Sequence, residues 1–199
     1  MEKVATRGRP REFDVAAAMG AALRVFWTKG YEGASLTDLT EAMGITRPSL
    51  YAAFGNKESL FRQALDLYER DKLAYIADAI SAPTARAVAH NLLFGAVDVS
   101  TGSECRGCMG VIASVACQSA EVSIRDDVNR RAEAAKRAIV DRMQRSIDAG
   151  EFTIPTDAEA ITRYLVVLMQ GISVQAQSGA NRAELAEVAE AALAAWPSC

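Results

Sequence analysis

Residues 35–54 read SLTDLTEAMGITRPSLYAAF, two short helical periods broken by a single glycine, and few folds accommodate that pattern. Leu36, Leu39 and Met43 recur on one side of a first helix. Ser35 stands where a helix needs its N-cap, and Asp38 three residues later completes a capping box. Gly44 supplies the backbone freedom of a tight turn and Ile45 plugs the corner. Thr46 caps a second helix, which accommodates Pro48 because that residue falls in the first turn. Leu50 and Phe54, four apart, face inward. Thr46, Arg47, Pro48, Ser49, Tyr51 and Ala52 are left outside with no core to fill. Small and short polar side chains at the start of such a helix are what a DNA major groove admits, so the segment predicts a helix-turn-helix.

The flanks extend this pattern. A helix is expected from Phe13 to Lys29, capped by Asp14, with Met19, Ala22, Leu23, Phe26 and Trp27 as its apolar stripe and Gly30 as its stop. After the second helix, Asn56 caps a long fourth one with Lys57 at its exposed start. The strings FWTKGYEG (26–33), SLTDLTEAMG (35–44) and SLYAAFGNKE (49–58) together resemble the N-terminal domain of the tetracycline-repressor family of bacterial transcription regulators, over roughly residues 10–62. The resemblance implies a homodimeric DNA-binding repressor gated by a small ligand, and says nothing about which ligand. It also implies phosphate contacts from Thr37, Tyr51 and Lys57. Many members carry bulky polar residues where this chain has Ala52 and Ala53. Base reading is therefore expected from Arg47 and Ser49 and from contact of Ala52 with a thymine methyl.

Ahead of this domain, residues 1–11 contain Arg7, Arg9 and Arg11 around a glycine and a proline. With no apolar periodicity the segment is expected to be a flexible basic arm, suited to a narrow A·T-rich minor groove or serving simply as a solubilising tail. Residues 1–62 hold 9 Lys and Arg against 7 Asp and Glu, whereas residues 63–199 hold 13 against 18. The acidic remainder, with a sequence pI near 5.3, argues against nonspecific coating of nucleic acid and directs DNA to the N-terminal end.

The organisation expected is all-α: an arm (1–11), a three-helix helix-turn-helix domain (12–56) and a helical ligand-binding and dimerisation domain (57–199). Helices are expected at 57–80, 84–99, 107–119, 122–149, 157–177 and 182–196. The last two carry apolar stripes, Ile161, Leu165, Leu168, Met169 and Ile172 on one and Leu185, Val188, Ala192, Leu193 and Trp196 on the other. Leu165, Leu168, Ile172, Leu185, Val188, Ala192 and Trp196 are candidates for a four-helix dimer interface, the alternative being closure of the monomer's own core. DNA reading independently favours a homodimer, because two recognition helices one helical turn apart read a palindromic operator that one cannot. The intervening helices are expected to enclose an unidentified small-molecule effector, with His90, Asn91, Phe94, Met109, Gln118, Arg163, Tyr164 and Gln170 as candidate contacts. For His90, Phe94 and Met109 a surface or core role is the competing reading.

Four cysteines, Cys105, Cys108, Cys117 and Cys199, are expected to be mostly reduced in a cytoplasmic protein. The charged start reads as no signal peptide, and no stretch approaches the apolar length of a membrane span. Cys105 and Cys108 at a helix start suit a thiol sensor or half a metal site. Cys108 and Cys117 would lie on opposite faces of one helix, which argues against a three-cysteine metal site. No metal or other cofactor is expected. One histidine, no phosphate loop and no strand for a nucleophile elbow argue against an enzyme. Asp126, Asp127 and Glu121 read as a helix-start cluster. Three readings remain: a ligand-released repressor, a thiol- or metal-responsive regulator of the same build, and a helical adaptor that docks protein.

Overall fold

In a computed structural model, which describes residues 13–103, 105–111 and 122–197, the N-terminal helices start where the sequence caps them. Helix α1 (Val15–Gly33) begins on the Asp14 carboxylate, which accepts the Ala16 and Ala17 N–H groups. Its helical run breaks at Gly30 (φ 69°, ψ 178°) before a last turn reaches Gly33. That break swings Tyr31 back over the edge of Phe61, at 5.1 Å between ring centroids. Helix α2 (Leu36–Met43) starts in the Ser35–Asp38 capping box and stops at Gly44 in the left-handed region (φ 64°). Helix α3 (Arg47–Phe54) starts on Thr46, and helix α4 (Lys57–Lys72) on Asn56, whose side chain accepts the Ser59 N–H at 2.7 Å.

Leu39, Met43, Leu50 and Phe54 are buried with Phe26, Trp27 and Phe61 in a first core. Helix α4 is a structural part of that core through Leu60, Phe61, Ala64, Leu65 and Tyr68. The single helix expected over 57–80 is in fact two. It breaks at Leu73 (φ −102°, ψ 3°), whose N–H is shared between the Tyr68 and Glu69 carbonyls, and α5 follows (Ala74–Ile80). The bend brings the Tyr75 ring against α6 (Ala85–Ser100) at Gly95, where any Cβ would fall inside the ring's van der Waals envelope. Residues 109–111 are helical, and the rest of the helix expected over 107–119 lies outside the described residues.

Helices α7 (Val122–Asp148), α8 (Ala158–Gln177) and α9 (Arg182–Ala194) complete a second core with α5 and α6. Asp157 caps α8, and an Asn181–Glu184 capping box starts α9. The regular elements among the described residues are helices, and no helix among them is long and apolar enough to cross a membrane.

Asp127 is not a helix-start carboxylate in solvent. It is buried, and it gathers Arg62 of α4 (3.2 Å), Arg131 (3.3 Å) and Arg130 of its own helix. Arg131 also reaches back to Asp66 and Glu69 of α4, both at 2.8 Å. Arg62 is paired with Glu58 at 2.8 Å, and Glu58 accepts the Ser123 hydroxyl. The cluster clamps α4 to the start of α7. Glu121 lies outside the described residues.

The Tyr75–Gly95 contact gives a direct test of how tightly α5 is held. Gly95→Ala is expected to lower stability by about 1–3 kcal/mol in urea denaturation, and Tyr75→Ala in the same background is expected to recover part of that loss, because the added methyl then meets space. Additive effects of the two substitutions would contradict the contact.

Candidate nucleic-acid interface and effector cavity

Helix α3 buries only Leu50 and Phe54, and its exposed side is defined by what remains. Thr46, Arg47, Pro48, Tyr51 and Ala52 are exposed, Tyr51 at 47 % of its surface, and Ser49 is half-buried. The Thr46 hydroxyl accepts the Ser49 N–H at 3.3 Å and lies 3.0 Å from the Ser49 hydroxyl, so the first turn is pinned from its own side chains. Arg47 reaches across the turn and donates to the Thr37 hydroxyl of α2 at 3.4 Å, which joins the two helices at their outer faces. Lys57, at the start of α4, holds its ammonium over the Tyr31 ring at 4.5 Å. Arg7, Arg9 and Arg11 lie outside the described residues.

Asp38 locks this unit. Its carboxylate accepts the Ser35 N–H (2.9 Å) and hydroxyl (2.7 Å), and pairs with Lys29 of α1 at 2.6 Å. The hydrogen bond from Lys29, followed by those from Ser35, holds the Asp38 carboxyl far below the usual carboxylate range. One side chain thus caps α2 and fixes its angle to α1.

Behind the helix-turn-helix lies a cavity of about 630 Å³ between α4, α5, α6, α7 and α8. Its wall is mostly apolar, with Leu65, Ile139 and Met169 among the lining, and Tyr68, Tyr75 and Gln170 supply polar atoms. Burial first, and then the neighbouring Cys108 sulfur, push both phenols well above their ordinary range, so both remain protonated donors. The Tyr68 hydroxyl donates to Cys108 Sγ at 3.2 Å. Ser100 and Ser173, both buried in the wall, bond each other at 3.0 Å.

Of the effector contacts expected from sequence, Gln170 lines this cavity. His90 and Asn91 sit on the outer face of α6 and bond each other at 3.1 Å. Phe94 stacks on His90 at 4.5 Å and packs on the second core. Met109 is buried in the first core, Arg163 and Tyr164 are exposed on α8, and Gln118 lies outside the described residues. The reason is rotational: α6 turns Val88, Leu92, Ala96 and their neighbours inward, which points 90 and 91 away. Tyr68, Tyr75 and Arg131 are not among the sequence-based candidates, because helical periodicity shows which face is buried but not which residues border a cavity.

The stripes expected to meet a second subunit divide. Leu165, Ile172, Leu185, Ala192 and Trp196 are buried inside the monomer, and Leu168 packs on the same core. Val188 is exposed. A further apolar row is exposed on α8, outside the stripe expected from sequence: Tyr164, Val167 (59 % exposed), Gly171 and Val174, spaced three, four and three residues apart. A Cβ at Gly171 would meet nothing within 4 Å.

Comparison with known proteins follows the same lines. The profile described as bacterial regulatory proteins, tetR family, matches residues 18–64. The HTH-type transcriptional repressor ComR of Escherichia coli K12 is 32 % identical over 96 % of this chain and 93 % of its own length. The repressor BdcR of the same organism is 31 % identical over 92 % and 88 %. Among solved structures, a cysteine mutant of the TetR family transcriptional regulator CifR, complexed with 26-bp double-strand operator DNA, superposes with a TM-score of 0.87. It is 41 % identical and covers 96 % of this chain and 100 % of its own.

The Asp38 lock has a pH signature. A depressed folded-state pKa contributes stability at any pH above the unfolded value, near 3.9, and loses it only as pH falls through the folded value. The Ser35 cap and the Lys29 pair are therefore expected to persist at pH 4, with the Asp38 carboxyl carbon titrating well below that in NMR. A midpoint near 3.9 would contradict the lock.

Proposed function

Because the chain belongs to the tetR family of bacterial regulatory proteins, we propose that it is a cytoplasmic transcriptional repressor that grips a palindromic operator as a homodimer and lets go when a small molecule occupies the cavity. The chain is a helix-turn-helix transcription regulator and not an enzyme. One observation carries the DNA reading. The exposed side of α3, with Arg47 joined to Thr37 of α2, is mounted on a fully buried Leu50 and Phe54. A rigid mount is what lets a short helix present side chains to base edges in register.

In this reading Thr37, Tyr51 and Lys57 hold phosphates, and Arg47, Ser49 and Ala52 face the bases, with Thr46 and Pro48 at the helix start beside them. The arginine arm at 7, 9 and 11 enters an adjacent minor groove. The domain plan is the arm (1–11), the DNA-binding unit (12–56) and the effector and dimer unit (57–199). The dimer forms through the outward row on α8 and Val188 of α9, since an apolar row at helical spacing across a two-fold axis makes a four-helix contact. Gly171 in that row lets the two backbones approach. The buried stripe of Leu165, Ile172 and Leu185 supports the row from beneath.

The cavity supports gating by its position. Leu65 and Tyr68 of α4 form part of its wall, and Leu60 and Phe61 of the same helix hold the DNA-reading core. A ligand that fills the cavity therefore bears on the helix that sets the angle of α3. To turn a state favoured 99 to 1 into its reverse, the ligand must prefer the released form by about 10⁴, roughly 5.5 kcal/mol.

Footprinting across a salt series on the DNA upstream of the chain's own gene, followed by selection from random sequence, tests the reading. A protected palindrome whose half-sites lie about 34–36 Å apart is expected. Arg47→Ala is expected to cost about 1–3 kcal/mol of operator affinity and relax specificity at one position, whereas Lys57→Ala weakens all sequences and flattens the salt slope by about one unit. Val167→Glu with Val174→Glu is expected to give folded monomers by light scattering with operator affinity lost. Failure to select any DNA sequence would favour the adaptor reading.

A further inference from the structure

We propose that Cys108 is a covalent sensing site, whose thiol in the cavity wall takes an uncharged electrophile by conjugate addition, the adduct being the signal that loosens DNA binding. The proposal rests on the ligand-released repressor reading and names the chemical class of the effector.

Charge at the cavity narrows what enters. Arg131 and Lys136 reach the wall, but Arg131 is already held by Asp66, Glu69 and Asp127, and Lys136 by Glu159 at 3.0 Å. An anionic ligand would have to compete with those carboxylates. The remaining wall is mostly apolar, which favours a neutral molecule.

Within that wall Cys108 is the nucleophile. It is a free thiol, half-buried, with its sulfur held by the Tyr68 hydroxyl. Tyr75 lines the same cavity and brings a second phenol, a donor suited to the carbonyl oxygen of an α,β-unsaturated ketone or aldehyde. Cys105 has a different setting, with its sulfur 3.9 Å from the Thr28 hydroxyl of α1. Among the described residues no group of three His, Cys, Asp or Glu side chains is placed to hold a metal ion.

The addition balances without a co-reactant. The S–H proton leaves to water and the sulfur lone pair forms a bond to the β-carbon. The C=C pair shifts to give an enolate whose oxygen faces the Tyr75 hydroxyl, and the α-carbon then takes a proton from water. The net change is S–H added across the double bond, with no leaving group and no redox step.

The surrounding contacts give the adduct a route to DNA. Gly107, next to Cys108, is in the left-handed region (φ 82°), accepts the Trp27 indole N–H of α1 at 3.0 Å and donates its own N–H to the Ser100 carbonyl at 3.0 Å. A Cβ at Gly107 would stand 3.2 Å from the Ser173 carbonyl. The segment is thus wedged between α1 and α8 with little slack. An adduct that fills the cavity from Sγ bears on the Tyr68 hydroxyl of α4, which holds the sulfur, and on the segment whose Gly107 carbonyl holds Trp27.

The test exposes the purified protein to 2-cyclohexen-1-one, maps adducts by peptide mass spectrometry, and reads operator affinity before and after. One adduct is expected, forming first at Cys108 ahead of Cys105, Cys117 and Cys199, with operator affinity falling at least about tenfold. Cys108→Ser is expected to bind the operator as the natural chain does and to ignore the reagent, whereas Cys105→Ser retains the full response. Absence of operator binding before exposure would overturn the repressor reading and this proposal with it. Operator affinity that survives complete modification of Cys108, labelling that reaches Cys108 last, or a Cys108→Ser chain still released by the reagent would overturn this proposal alone.

Discussion

The edge-on contact of Tyr68 with Trp27, 4.8 Å between ring centroids, is where the DNA-reading unit and the cavity share atoms. Trp27 belongs to α1 and to the first core; Tyr68 belongs to that core and to the cavity wall at once. Because α4 must satisfy both, its position has no independent adjustment. A displacement on the cavity side reaches Phe26 and Phe61, which meet at 5.0 Å in a T-shaped pair, before it can be absorbed. Close packing of the aromatic rings in the first core transmits such a shift, since side chains at crystal-like density leave little space to take it up. The carboxylates of Asp66, Glu69 and Asp127 around Arg131 hold the same helix against α7.

Helix α3 depends on this arrangement more than on itself. Eight residues in isolation form no stable helix, and this one buries two large side chains. Its termini are secured by Thr46 at the start and by Gly55 at the end, whose N–H donates to the Tyr51 carbonyl. Its orientation is borrowed from α2, which the Asp38–Lys29 pair ties to α1, and from α4, which follows within two residues. The surface offered to DNA is therefore free of packing duties, and the structure around it carries the cost of holding it still.

What was legible in the chain was local. Capping residues at 14, 35, 46 and 56 and the glycine turn at 44 act within four residues of themselves, so their meaning survives without knowledge of the rest. The helical periods of α1 to α3 were legible for the same reason. The break at Leu73 was not, because no glycine or proline marks it. It answers to the fit of Tyr75 on Gly95, a contact between two helices. The stripe at Leu165, Ile172 and Leu185 showed that α8 and α9 bury a face, but periodicity is silent on whether the covering surface is the same chain or a second one.

By itself, then, the sequence determined an all-helical chain, the position and caps of its helix-turn-helix, the outward residues of α3 and membership of a family of regulators. The helices, the caps and the outward residues follow from short-range backbone and side-chain chemistry repeated at helical spacing, and the membership from similarity to known regulators. Only the tertiary structure decided that Asp127 is buried among arginines, that Cys108 faces a cavity beside Tyr68 and Tyr75, that His90 faces outward, and that Val167 and Val174 rather than Leu165 are left uncovered. Those outcomes depend on how helices far apart in the chain rotate against one another. A turn of about 100° per residue makes the choice between inside and outside depend on packing partners that no single segment contains.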